Sequence, residues 1–205
     1  MKPLFLLLLS ASAALSGPLS LGVKAGVPLT DFFSTINSPN FGFNSNTKRY
    51  IVGPTAELKL PAGFSVEVDA LYRRFNYQSS TSVLDVLTNN QTTGNAWEFP
   101  LLLKYKAGRE LVRPFVDGGV AFDTLSGLTQ TVVSGVSNVV NGNPPGLKNS
   151  TTAGFVVGGG VDVHAILLHI SPEIRYTRWN SQHIQVGNSL VSNQNQFEFL
   201  VGFTF

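Results

Sequence analysis

Cysteine is absent from the 205 residues. That excludes disulfides, thiolate metal sites, a cysteine nucleophile and a lipid-acylated cysteine. Charge is scarce as well, at 13% Asp, Glu, Lys and Arg, where a soluble domain carries about 25%. The formal net charge of +2 is too small to point to a nucleic-acid partner. Three histidines, His164, His169 and His183, lack a repeating ligand spacing, so no metal is expected, and no other cofactor either. Long apolar runs are missing too. Beyond the N-terminus the longest are 99–103 and 165–168, whereas a spanning helix needs about 20 residues. Yet 43% of the chain is apolar, with a mean hydropathy of +0.14. If such a chain enters a membrane, it must do so as strands closed into a barrel.

The N-terminus has its own grammar. Met1-Lys2-Pro3 supplies a basic start, 4–9 a short apolar core, and 10–16 a run of small residues ending at Ser16. This order describes a secretory signal peptide. Ala14 and Ser16 suit the positions three and one before a cut. The expected organisation is a cleaved leader at 1–16 and one domain at 17–205.

From there a period of two recurs, the signature of strands. Leu21, Val23, Ala25 and Val27 alternate with Ser20, Gly22, Lys24 and Gly26. Val52, Ala56 and Leu58 oppose Gly53, Thr55 and Glu57, and Phe64, Val66 and Val68 oppose Ser65, Glu67 and Asp69. Trp97, Phe99, Leu101, Leu103 and Tyr105 oppose Glu98 and Lys104. Val116, Val120 and Phe122 oppose Asp117 and Asp123. Phe155, Val157 and Val161 oppose Gly158 and Asp162, and Ile170, Ile174 and Tyr176 oppose His169, Glu173 and Arg175. The last strand sets Phe197, Phe199, Val201, Phe203 and Phe205 against Glu198, Leu200 and Thr204. That makes about eight strands.

The connections alternate in length. Short links fall at 61–63, 107–112 and near 165–166; long ones cover 31–47, 78–94, 126–150 and 180–194. The long stretches are rich in Asn, Ser, Thr and Gly and read as loops. Short turns at one end and long loops at the other describe a transmembrane barrel, turns periplasmic and loops outside. The fold expected is all-β: a single closed antiparallel transmembrane barrel with up-and-down topology.

A soluble lipocalin-like barrel has the same period with its apolar face turned inward. Aromatics separate the two readings. Tyr50, Tyr72, Trp97, Phe122, Phe155, Tyr176 and Phe197 fall near the long-loop end, and Phe64, Tyr105 and Phe205 near the short-turn end. Two girdles flanking an aliphatic band suit a lipid-facing surface. Mixed charges on the other face, from Lys24 to Glu198, then line the lumen. In an eight-stranded barrel side chains fill the interior, so these charges are expected to pair as a network.

The residues resemble a known group, the small outer membrane protein β-barrel domain family, also labelled porin family and related to the OmpX-like barrels. The resemblance is carried by Gly22-Val23-Lys24-Ala25-Gly26-Val27 and by Glu98-Phe99-Pro100-Leu101-Leu102-Leu103-Lys104-Tyr105. Arg113-Pro114-Phe115-Val116 with Gly118-Gly119, and Val161-Asp162 with Glu173-Ile174-Arg175-Tyr176, extend it over the mature chain. It implies fold and outer-membrane location and transfers no catalytic or binding residue.

One constellation has an enzymatic look: His169, Ser171 and Glu173, with His164 nearby. A serine, a histidine base and an orienting carboxylate make a hydrolase arrangement. Residues two apart on a strand lie about 7 Å apart, and this set faces the lumen, so no catalytic residue is expected. Gly158-Gly159-Gly160 lacks the lysine and helix of a phosphate loop.

Two surface features remain. Arg74 and Arg178 share parity with the lipid-facing set at the long-loop ends of their strands, suited to lipopolysaccharide phosphates. Phe205, with Phe203 and Val201, resembles the C-terminal signal that such barrels present to the outer-membrane assembly machinery. The partners expected are therefore outer-membrane lipids, lipopolysaccharide and that machinery, with a monomeric barrel. The role expected is non-enzymatic, structural in the envelope or loop-presenting; a narrow channel for small solutes and a soluble ligand-binding barrel are the alternatives.

Overall fold

The structure is a computed structural model that describes residues 18–31, 33–35, 41–45, 50–83, 86–108, 111–134, 136–141, 150–165, 168–182, 185–186 and 190–205. The leader expected at 1–16 and His183 lie outside the described residues.

Eight strands form the wall: β1 (Leu19–Pro28), β2 (Ile51–Lys59), β3 (Phe64–Asp69 continuing as Leu71–Val83), β4 (Val86–Lys106), β5 (Val112–Ser134), β6 (Thr151–Ala165), β7 (Leu168–Trp179) and β8 (Asn195–Thr204). Each pairs antiparallel with the next. β8 returns to β1 through Gly22↔Thr204 to Pro28↔Glu198. The ring is closed, so no edge of the wall is left unpaired within a membrane.

The one interruption, at Ala70 within β3, has a local cause. Pro54 on β2 and Pro100 on β4 flank it, and neither has an N–H to give the ladder. Ala70 itself still donates to the Pro54 carbonyl at 3.0 Å, and the register is the same on both sides of the break. The short link between β2 and β3 is a single 3-10 turn, Pro61–Gly63. It holds Ala62 at φ 62° and Gly63 at φ 85°, left-handed positions that favour glycine and strain alanine.

The polar stretches 78–94 and 126–150, expected as loops, are largely strand. β3 and β4 stay paired out to Val83↔Val86. β4 and β5 pair out to Asn89↔Val133, with one register shift between Thr93 and Asn95. A further strand, Val136–Asn141, folds back on β5, and Phe41–Ser45 pairs with β3. These segments are rich in Thr and Val, whose branched side chains favour extended backbone. Their missing apolar alternation reflects a ladder that has left the lipid, which ends the need for an apolar face without ending the strand.

Which face meets lipid is decided by exposure. Val116 and Phe155 on the outside are 62% and 64% exposed, while Lys24 and Arg175 inside are 2% and 0%. A soluble barrel would invert this. Rings edge the apolar band as expected: Tyr72 lies 5.2 Å from Trp97 and Tyr176 4.7 Å from Phe197 near the loop end, and Phe64 lies 5.0 Å from Tyr105 near the turns.

Candidate functional site

The interior is a chain of charges in three groups. In the middle, Arg175 on β7 donates from Nε to Glu173 at 2.7 Å, and its Nη1 and Nη2 lie 3.0 and 3.3 Å from Asp69 and Glu67. Lys24 on β1 bonds Glu67 and lies 3.2 Å from both Asp69 and Glu173. Lys104 on β4 donates to Glu67 at 2.6 Å and stands 4.2 Å over the Phe115 ring. Four strands thus supply one network of charges, and Phe115 on a fifth lies under Lys104. Alternation explains how: with side chains facing the lumen at every second residue, one or two charges per strand near the same height meet at the axis.

The loop end holds a different group. Arg73 Nη1 donates to Gln196 at 2.7 Å and to Glu198 at 3.3 Å, Nη2 donates to Asp123 at 2.8 Å, and Glu98 lies 4.0 Å away. One guanidinium faces three carboxylates. Among the described residues Glu98 Oε1 and Glu198 Oε2 are buried without a hydrogen-bond partner.

At the turn end two cations meet two acids. Lys106 contacts Glu57 at 2.7 Å and Asp162 at 3.2 Å, and Arg113 reaches the same Asp162 at 2.6 Å. Asp162 Oδ1 also takes Ser171 Oγ at 3.2 Å and lies 3.1 Å from His169 Nδ1. Across the strands the imidazoles of His164 and His169 stack, centroids 4.4 Å apart.

That geometry answers the hydrolase question. Asp162 sits between Ser171 and His169, whereas a nucleophilic triad needs the histidine in the middle. Glu173 is spent on Arg175 and Lys24 in the central group. Among the described residues no group of three or more His, Asp or Glu side chains is arranged to hold a metal ion.

Arg74 on β3 and Arg178 on β7 are exposed. Arg178 Nη1 donates to Asn195 Oδ1 at 2.6 Å, an atom that also takes the Tyr176 hydroxyl at 2.7 Å. β3 and β7 are four strands apart in a ring of eight, so the two cations stand on opposite walls and cannot share a ligand. Phe203 and Phe205 are exposed at the turn end of the outer face, with Val201 above them half-buried. The inward apolar side chains Leu102, Ala121, Val156 and Trp179 cluster inside the wall; parity with Lys104 and Asp123 marks Leu102 and Ala121 as inward, as parity with Glu198 marks Leu200.

Charges inside, an aliphatic band between aromatic girdles outside and a closed ring define a transmembrane barrel of the outer-membrane kind. The family model for the outer membrane protein beta-barrel domain matches residues 10–178, and the chain belongs to that family. Among solved structures it is similar to the outer membrane protein OprG from Pseudomonas aeruginosa, at 13% identity over 91% of this chain and 92% of that one, TM-score 0.52. Neisserial surface protein A matches at 13% identity over 92% and 96%, TM-score 0.43. Ail of Yersinia pestis matches at 10% over 91% and 96%, TM-score 0.39. At these identities the likeness is one of fold alone. No protein of curated function matches the chain. The chain is a β-barrel of the outer membrane.

Proposed function

We propose that this barrel is a structural element of the envelope that presents its loop-end hairpins outside the cell and conducts no solute. Arg175 carries the reading. It is fully buried at the lumen's centre among Glu67, Asp69 and Glu173, with Lys24 bonded to the same acids. An eight-stranded wall leaves an interior that side chains fill, and a solute would have to part this network to pass. Single-channel recording on the refolded protein in planar bilayers tests it. No stable conductance steps are expected; reproducible steps would replace this reading with a narrow channel. The channel reading has one observation in its favour, the three carboxylates around Arg73, which would draw cations from the loop end.

Arg74 and Arg178 fit this role as lipopolysaccharide contacts. Both are exposed, and Arg178 sits just beyond the ring pair Tyr176 and Phe197, where a lipid-facing cation costs about 0–1 kcal/mol against 2–4 at the midplane. Because they stand on opposite walls, each takes its own lipopolysaccharide molecule. Arg74→Ala and Arg178→Ala should each remove part of the lipopolysaccharide that copurifies, and the double change more than either. Unchanged copurification of the double variant sinks the assignment.

The outward row of Val201 and Phe203 on β8 with Phe205 just past it supports recognition by the assembly machinery, which would follow export and cleavage behind Ser16. Phe205→Ala should lower the folded fraction in membranes and leave refolding in detergent unchanged.

A further inference from the structure

Where β2 turns into β3 and the ends of β4 and β5 come alongside, a cavity of about 550 Å³ opens at the short-turn end. Its lining joins two surfaces that the wall otherwise separates. Phe64 and Tyr105 belong to the lipid side, while Ser65, Glu57 and Lys106 belong to the lumen; Lys59 and Arg113 complete the cation set. The Ser65 hydroxyl is 1% exposed and has no hydrogen-bond partner among the described residues. A buried hydroxyl left unsatisfied is uncommon and calls for an acceptor or donor from elsewhere. Lys59 is exposed and makes no ion pair there among the described residues.

The charge here favours an anion. Among the described residues Lys59, Lys106 and Arg113 face Glu57 within the cavity and Asp162 beside it, an excess of one cation, whereas the central group, counting Asp117 beside Lys104, and the loop-end group are both richer in acid. A tetrahedral anion offers enough oxygens to take the Ser65 hydroxyl and a lysine ammonium together, and charge-assisted bonds of this kind are the strong ones. The depth fits as well, since the Phe64–Tyr105 pair marks the girdle level, where headgroups lie.

We propose that this cavity binds a phosphate group through Lys59 and the Ser65 hydroxyl, with any apolar part of its carrier against Phe64 and Tyr105. The phosphate comes either from the headgroup of an inner-leaflet phospholipid or from a free phosphate in the periplasm.

The test uses the full barrel refolded in octyl glucoside, which carries no phosphate, with heat-shifted gel mobility as the check on folding. Inorganic phosphate is titrated against chloride at matched ionic strength while the amide resonances of Gly63, Ser65 and Gly108 are followed. Separately, native mass spectrometry compares retention of phosphatidylglycerol with that of an uncharged glycolipid. Saturable shifts with inorganic phosphate and no preference for phosphatidylglycerol identify free phosphate. Preferential retention of phosphatidylglycerol identifies the headgroup. In either case Lys59→Ala and Ser65→Ala should each weaken binding about tenfold, the loss of one hydrogen bond to a charged group, and Lys59→Arg should retain it. Neither signal, or signals that survive unchanged in both alanine variants, overturns the proposal.

Discussion

The two ends of the lumen solve the burial of charge in opposite ways. At the loop end a single guanidinium, Arg73, is shared among Asp123, Glu198 and Glu98. At the turn end two carboxylates, Glu57 and Asp162, are each held by at least one cation within 3.2 Å. Buried ions need partners and hydrogen bonds to offset desolvation, so the ends should respond differently to the same loss. The turn end is redundant in cations. Among the described residues Arg73 is the cation that these loop-end acids share, and an axial field, negative at the loop end and positive at the turn end, results from that asymmetry.

The largest expected effect comes from removing that side chain. Arg73→Met takes from Asp123, Glu198 and Glu98 the guanidinium they share, and losing one partner of a buried pair costs about 3–5 kcal/mol. Arg175→Met strips three acids too, but Lys24 still contacts Glu67, Asp69 and Glu173, so its loss should be smaller. Urea unfolding of the two refolded variants in detergent ranks them. Equal midpoints would show that the network averages its charges and that the ends do not differ.

A middle-sized effect probes the room left for the central acids. Neither oxygen of Asp117 has a hydrogen-bond partner among the described residues, and Lys104 Nζ is 4.0 Å from one of them. Asp117 lies against Gly158, where an added Cβ would stand 2.5 Å from Asp117 Oδ1 and 3.1 Å from Glu173 Oε1. Gly158→Ala must push a short buried carboxylate aside, and overpacking of this sort costs about 1–3 kcal/mol. A variant as stable as the parent in the same urea series would mean that Asp117 has space to retreat.

Much of this was legible in the sequence. Alternation placed the lumen charges other than Arg113, because a period of two assigns faces before any partner is known; Glu67 and Arg175 could be put inside from their neighbours alone. The chain also showed that aromatic residues edge the outer band. What alternation does not contain is height. Strand tilt and register decide whether Lys24 meets Glu67 or Glu57, and those follow from the whole ring. For the same reason the sequence set Ser171 beside His169 and missed that Asp162, from the neighbouring strand, takes both. The polar tips of β3, β4 and β5 were misread as loops because an apolar face, the clearest mark of a strand, is needed only where there is lipid. The turn-end cavity was invisible too, since Lys59, Ser65 and Arg113 come from three strands and share no motif.

The smallest expected effect is the sharpest test of the comparison, because it asks for a change of sign. Glu98→Gln removes a charge that stands 4.0 Å from its guanidinium and faces two other acids at the loop end. Glu57→Gln removes one that lies 2.7 Å from Lys106 at the turn end. The volumes barely differ, so packing is held constant and electrostatics is read alone. Glu98→Gln relieves like-charge repulsion and should raise stability by up to about 1 kcal/mol, whereas Glu57→Gln leaves Lys106 with Asp162 alone and should lower it by about 1 kcal/mol. The same substitution would then stabilise one end and weaken the other. If both variants lose stability alike, the acid excess around Arg73 is compensated within the fold, and the axial field drawn from it is weaker than the ion pairs suggest.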